Sequence, residues 1–407
     1  MSFKVYPKNM QYYLSRLSNF HKQGVRLSNI NNSTGTAGDV IQVQLPALTL
    51  VDLGSFKMHF NCTVKNPSGA RQVAMPRNIA SVIERLEIAV NGQTLQQGHN
   101  SYNVLYNVLE NITVDSNGRA QRWDCGAENA ALVGRDTSRR YVIRDWLGWL
   151  GTVSPSVIPT HLMGDIILRI TLAENNIMSV ATAGDAASYE LSDIQFTCDT
   201  ISFTDQVYEN LIESHLASQG SLDLPFKQYY HFRTSSNGSE TAKYAVSSDS
   251  LDRVISTFRA TAYNTLADVD ATANSSAYFK YVKPSGDNNM TLQWQLNNNY
   301  YPNYRLENTT DCYNQLLNSF GDNQNVVSGN GIASLAAYEG GRFAVCWAFE
   351  HADKDPRSIS GVSTRGTNSA LYMTYSSGTP KNTVCDTFVE TSSVLRIMPQ
   401  KELLVIA

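Results

Sequence analysis

Apolar and polar residues alternate without a break through Phe56-Lys57-Met58-His59-Phe60-Asn61-Cys62-Thr63-Val64. The same pattern returns far along the chain in Phe343-Ala344-Val345-Cys346-Trp347-Ala348-Phe349. Period two sends successive side chains to opposite faces, so each run is a strand with one buried face. Comparable runs lie at 40–45, 82–90, 165–172 and 194–203, then at 227–233, 251–262, 278–282, 290–296, 370–375, 385–390 and 394–399. Asn91-Gly92 marks a tight hairpin turn. Helical spacing is confined to short stretches at 10–22, 101–111, 204–218 and 311–320, and the region 114–138 reads as a long polar loop. The apolar ending Leu403-Leu404-Val405-Ile406 is expected to pair in a sheet. Many strands, little helix and 407 residues predict an all-β chain of two β-sandwiches in tandem, each large enough for its own core. The expected division is an N-terminal basic arm with a short helix over 1–39, a first sandwich over 40–220 and a second over 221–407.

Charged residues make up only 17% of the chain, where about 25% is usual. A polar surface poor in charge suits large contacts with copies of itself, because few charges need desolvating. The formal net charge of −4 argues against nucleic-acid binding by the whole molecule. The first 38 residues differ: they hold no acid but carry Lys4, Lys8, Arg16, Lys22 and Arg26. Met10, Tyr13, Leu14, Leu17 and His21 recur at helical spacing behind Asn9, which predicts a basic amphipathic helix over 10–22 and a flexible tract over 29–38. Such a helix either packs on its own domain or reaches a neighbouring subunit, an internal membrane or DNA. One-signed charge ahead of the first strand favours the arm.

Catalytic signatures are absent from the sequence: there is no GxSxG, Walker loop, GxGxxG after a strand, or HExxH. The seven histidines are scattered, and no cysteines or histidines fall at metal-ligand spacing, so neither a metal nor a cofactor is expected. Nor is an enzyme or a small-molecule substrate. Cys62, Cys198 and Cys346 hold apolar-phase positions of strands and read as reduced thiols, hence synthesis inside a cell. No leader-like apolar region or membrane span is visible. Two patches remain as candidate interfaces. Arg135, Arg139, Arg140 and Arg144 form a basic cluster beside Asp136 and Asp145, which reads as a salt-bridged loop or subunit contact before a phosphate site. Tyr300, Tyr301 and Tyr304 lie in the Asn- and Tyr-rich run 299–304, a composition that suits protein interfaces and also sugar binding.

Three passages of the first half stand out: Val82-Ile83-Glu84-Arg85-Leu86-Glu87-Ile88-Ala89-Val90-Asn91-Gly92-Gln93, Val142-Ile143-Arg144-Asp145-Trp146-Leu147-Gly148-Trp149-Leu150-Gly151, and the strand run from Thr160 to Leu172. In the second half they are Ser250-Leu251-Asp252-Arg253-Val254-Ile255, the run 296–304 with the helix-like stretch behind it, and Phe388-Val389-Glu390-Thr391-Ser392-Ser393-Val394-Leu395-Arg396-Ile397. These passages resemble the double jelly-roll major capsid proteins of dsDNA viruses of the adenovirus and tectivirus lineage, in style closest to polinton-like viruses and virophages. The resemblance implies two tandem eight-stranded antiparallel jelly-roll sandwiches. It implies a homotrimer with a pseudo-hexagonal outline that tiles an icosahedral shell, in contact with neighbouring capsomers, penton and minor capsid proteins, and localised in the virion. A carbohydrate- or receptor-binding tandem β-sandwich is the alternative, and a β-sandwich hydrolase the third reading.

Overall fold

The structure, a computed structural model, describes residues 20–31, 33–66, 73–76, 78–96, 100–114, 137–180, 186–203, 207–264, 277–320, 334–350, 360–366, 370–399 and 402–406. Eight principal strands build the first half: β1 (Phe20–Leu27), β2 (Val40–Gln44), β3 (Leu50–Lys65), β4 (Ile83–Val90), β5 (Gln93–Gln96), β6 (Thr137–Ile143), β7 (Ile166–Leu172) and β8 (Ser188–Phe203). They form two antiparallel sheets, ordered β1-β8-β3-β6 and β2-β7-β4-β5. Eight more follow: β9 (Leu222–Asn237), β10 (Glu240–Ala245), β11 (Leu251–Ala260), β12 (Asn289–Leu296), β13 (Asn299–Asn308), β14 (Ala344–Ala348), β15 (Ala370–Ser377) and β16 (Asn382–Ile397). Their sheets are ordered β9-β16-β11-β14 and β10-β15-β12-β13. Counted from one to eight within each half, both sets read 1-8-3-6 and 2-7-4-5. This is the strand order of a jelly roll, executed twice.

The repetition extends to the connections. A helix follows the fifth strand in each half: α1 (Tyr102–Thr113) in the first and, beyond the linking helix α2 (Val207–Gln219), α3 (Thr309–Ser319) in the second. The turn between fourth and fifth strands is Asn91-Gly92 in the first half, with φ of 48° and 78°. Its counterpart is Asn297-Asn298, with φ of 51° and 70°. Two successive left-handed residues match the twist of the flanking strands, and asparagine tolerates that conformation better than other side chains with a Cβ.

Alternation fills the cores as expected. Phe56, Met58, Phe60, Cys62 and Val64 of β3 are buried in one apolar core with Ile166, Leu168, Ile170 and Leu172 of β7. In the second sandwich Phe258 of β11 meets Tyr375 of β15 edge-on, ring centroids 5.0 Å apart, which ties one sheet to the other. The C-terminal strand β17 (Leu403–Ile406) pairs with Val394–Ile397 of β16.

Three expectations need correction. Residues 20–22 are not the end of a helix: β1 runs antiparallel to β8, from Phe20 opposite Phe203 to Leu27 opposite Phe196. An isolated helix of about 13 residues is marginal in water, whereas the edge of β8 offers this stretch a complete ladder. Residues 20–27 therefore belong to the first sandwich and not to an arm. Residues 278–282 form no strand, since Ala277–Phe279 is a single 3₁₀ turn and Tyr281 makes only an isolated bridge to Arg342. Finally, the Tyr-rich run 299–304, left out of the expected strands, is the start of edge strand β13.

Candidate functional site

The most distinctive chemistry lies on β16, where Asp386, Phe388, Glu390 and Ser392 alternate with residues that face the second sandwich's own core. Thr387 shows the inward direction, since Tyr244 of the opposite sheet lies 3.0 Å from its hydroxyl. The outward set is flanked in register: Arg233, His231 and Tyr229 of β9 oppose Asp386, Phe388 and Glu390, and Thr257, Ile255 and Arg253 of β11 oppose the same three. The first sandwich covers this face with α1 and the segment 144–156. Arg233 Nη2 donates to Ser101 Oγ at 2.7 Å, and Tyr281 donates to the Val104 carbonyl at 3.3 Å. Ser154 N–H donates to the Pro225 carbonyl at 3.0 Å, and Lys227 N–H to Thr152 Oγ1 at 2.9 Å. A cleft of about 450 Å³ remains along the seam, lined among others by Tyr106, Leu109, Arg144, Tyr229, Arg253 and Phe320.

Two ion clusters sit within the seam. Asp386 is fully buried and accepts from Arg259 Nη2 at 2.6 Å, Arg259 Nε at 3.0 Å and Arg233 Nε at 2.7 Å. His231 Nε2 lies 2.9 Å from the same carboxylate. Burial alone pushes the Asp386 carboxyl upward; the His231 contact and the two guanidinium charges outweigh it and hold it well below the usual carboxylate range. Arg259 is itself 0% exposed and sits 4.4 Å from the Tyr278 ring centroid. In the second cluster Lys227 Nζ lies 2.7 Å from Asp252, 3.2 Å from Glu350 and 3.8 Å from Glu390. Arg253 Nε donates to Glu350 at 2.9 Å. Here the balance is reversed: burial raises the Glu390 carboxyl, and the opposing charges of Arg253 and Lys227 do not cancel it.

The two carboxylates thus act on stability in opposite senses. Asp386, depressed in the fold, stabilises above the ordinary aspartate range, and that contribution is lost as pH falls toward its folded value. Glu390, raised in the fold, favours the folded state most when protonated, and that contribution fades as pH rises through its folded pKa. Glu390→Gln is therefore expected to cost less than about 1 kcal/mol at neutral pH or to stabilise slightly, since it relieves a desolvated charge and leaves Glu350 and Asp252 to pair the cations. Urea unfolding at neutral and acidic pH checks this; a loss of several kcal/mol at neutral pH would show Glu390 to be the anchor of the cluster.

These groups bind one another and leave no activated nucleophile. The described cysteines 62, 198, 312, 346 and 385 are all buried. Burial pushes Cys62, Cys312, Cys346 and Cys385 up to about 12 and Cys198 to about 11, so they are protonated and unreactive. Among the described residues no cluster of His, Cys, Asp and Glu is arranged to hold a metal. The arrangement joins two sandwiches.

The residues singled out from sequence are not gathered in one place. Lys4, Lys8, Arg16 and Arg135 lie outside the described residues. Lys22 and Arg26 stand on β1, Lys22 reaching Asp199 at 2.9 Å and Asp52 at 3.5 Å. Arg139 and Arg140 are exposed on β6 instead of in a loop: Arg140 pairs with Asp193, and Arg139 lies over the Tyr141 ring. Tyr300 and Tyr304 are exposed on β13, while Tyr301 turns inward with its ring 5.0 Å from Phe349, so the three do not share one aromatic platform. The seam was missed because the period-two pattern of β16 assigns Asp386 and Glu390 to a solvent face. The signal against that reading is Phe388, set between them on the same face.

No family profile matches the chain, and no curated protein matches its sequence. Solved structures do match, over nearly its whole length. PBCV-1 VP54, fitted into a reconstruction of the virophage Sputnik, aligns with a TM-score of 0.67 at 13% identity, covering 100% of this chain and 99% of the other. The Faustovirus major capsid protein aligns at 0.60 and 10% identity over 97% and 92%. The mavirus major capsid protein aligns at 0.50 and 8% identity over 100% and 95%. With 1-8-3-6 and 2-7-4-5 sheets in both halves, the chain is a double jelly roll, with the fold of these viral major capsid proteins.

Proposed function

We propose that this chain is a major capsid protein, a structural subunit of an icosahedral virus shell with no reaction of its own. The observation that carries the reading is end-to-end correspondence with the PBCV-1, Faustovirus and mavirus structures. It is supported by a seam whose described residues fix the two jelly rolls against each other through hydrogen bonds and paired charges. Three copies bring six similar sandwiches together, which gives a homotrimer a pseudo-hexagonal outline able to tile a flat facet. Neighbouring capsomers, penton and minor capsid proteins are the partners of such a subunit, and the virion is its location. Synthesis in the host cell interior agrees with five described thiols that are free.

The segment before β1 is read as an arm toward the shell interior, with Lys4, Lys8 and Arg16 facing DNA, an internal membrane or a minor protein. Removal of residues 1–19 is expected to leave the oligomer and its melting temperature unchanged and to reduce shell assembly severalfold, measured by counting particles in electron micrographs. Loss of the fold on deletion would show that the segment is part of the first sandwich.

A further inference from the structure

The second ion cluster of the seam is one cation short. Three carboxylates, Asp252, Glu350 and Glu390, share the two cations Lys227 and Arg253. Asp252 is well satisfied: it accepts from Lys227 Nζ at 2.7 Å, Ser392 Oγ at 2.6 Å and Ser250 Oγ at 2.7 Å. Glu350 accepts from Lys227 Nζ at 3.2 Å and from Nε and Nη2 of Arg253. Glu390 is left over. The closest cation, Lys227 Nζ, is 3.8 Å away, and the Glu390 carboxylate accepts no hydrogen bond among the described residues. Yet Glu390 is only 4% exposed. A buried charge without a donor bears its desolvation uncompensated, and the upward push on the Glu390 carboxyl agrees with this.

Glu390 also lines the seam cleft, whose volume of about 450 Å³ falls in the range of small-molecule sites. Both sandwiches contribute apolar wall to it: Tyr106, Leu109 and Leu147 from the first, Tyr229 and Phe320 from the second. The other charged groups on the wall have partners. Arg144 Nε lies 3.9 Å from Asp145, Glu110 accepts from Asn78 at 2.6 Å, and Arg253, bonded to Glu350, lies over the Phe320 ring. The cleft therefore offers a ligand one undercompensated carboxylate among aromatic and aliphatic side chains. A divalent metal ion does not suit this wall, because it takes about six or more oxygen ligands. An organic cation does suit it: the charge meets Glu390, the tyrosine rings attract the same charge, and an apolar body fills the rest.

We propose that the seam cleft is a binding site for a small organic cation, an amine or amidinium carried on an apolar body, with Glu390 as its counter-ion. Because the wall comes from both sandwiches, the bound cation ties them together. Binding to the folded chain alone raises its melting temperature. The site belongs to a single chain and goes beyond the shell reading, so either can fail without the other.

The test uses the full chain, titrated with benzamidine and phenethylamine and with their uncharged counterparts benzamide and phenethyl alcohol. Calorimetry and melting temperature read the binding. Both cations are expected to bind and to raise the melting temperature, and the neutral compounds to bind at least about tenfold more weakly, the usual effect of losing a hydrogen bond to a charged group. Glu390→Gln is expected to abolish that preference, so that benzamidine and benzamide bind alike. Leu109→Trp fills the apolar part of the cleft with the carboxylate intact and is expected to weaken all four compounds. Circular dichroism shows whether each variant folds; if one does not, the other decides. The site is overturned if the wild type binds neither cation or binds charged and neutral probes equally. It is equally overturned if Glu390→Gln keeps the preference, if Leu109→Trp leaves binding unchanged, or if magnesium or calcium stabilises the chain and benzamidine does not.

Discussion

Asp386→Ala is expected to destabilise the second sandwich by about 3–5 kcal/mol, the usual result of removing one partner from a buried ion pair. Arg259 explains the size of the effect. It is 0% exposed, holds two hydrogen bonds to the Asp386 carboxylate, and has no route to water once that carboxylate is gone. At about 2–4 °C per kcal/mol for a domain of this size, the melting temperature falls by about 6–20 °C. The double variant Asp386→Leu with Arg259→Met is expected to recover most of the loss, because two apolar residues demand no charge compensation. Differential scanning calorimetry of the single and double variants reads both. Equal destabilisation in the two would show that Asp386 acts through Arg233 and Ser101 across the seam, and not through Arg259.

Trp294→Ala is expected to cost a similar 3–5 kcal/mol for a different reason. Trp294 is 0% exposed in the centre of sheet β10-β15-β12-β13, paired with Met373 on one side and Tyr301 on the other. Alanine leaves a cavity that flanking strands cannot close without breaking their ladders. Tyr304→Ala, on the neighbouring strand β13 but 65% exposed, is expected to change stability by no more than about 0.5 kcal/mol. Urea unfolding of both variants gives the comparison, and a small effect at Trp294 would mean that the core around it is loosely packed.

The contrast between these residues shows what was legible in the sequence. Burial of one face and exposure of the other writes itself as alternation, so β3, β4, β7 and β12 are plain in the chain. Asn91-Gly92 likewise declares its hairpin, because its backbone conformation is set locally. β1 was hidden: over residues 21–27 only Val25 and Leu27 are even half-buried, so the helical spacing ahead of it prevailed. β13 was hidden by Pro302 and a row of Asn and Tyr, which an edge strand tolerates and a central strand does not. The seam was the least legible. Its cover comes from Ser101 and its neighbours, 132 residues from Arg233, and no local pattern reports that a polar face will be sealed by a distant helix. The basic cluster and the Tyr-rich run were visible as composition, but composition did not place them on β6 and β13.

The mass of the purified chain in solution tests the central claim most directly. One chain weighs 45.1 kDa, so the trimeric shell subunit predicts a stable species near about 135 kDa that persists at micromolar concentration. A single species at 45.1 kDa under the same conditions, with the protein fully folded, would contradict it.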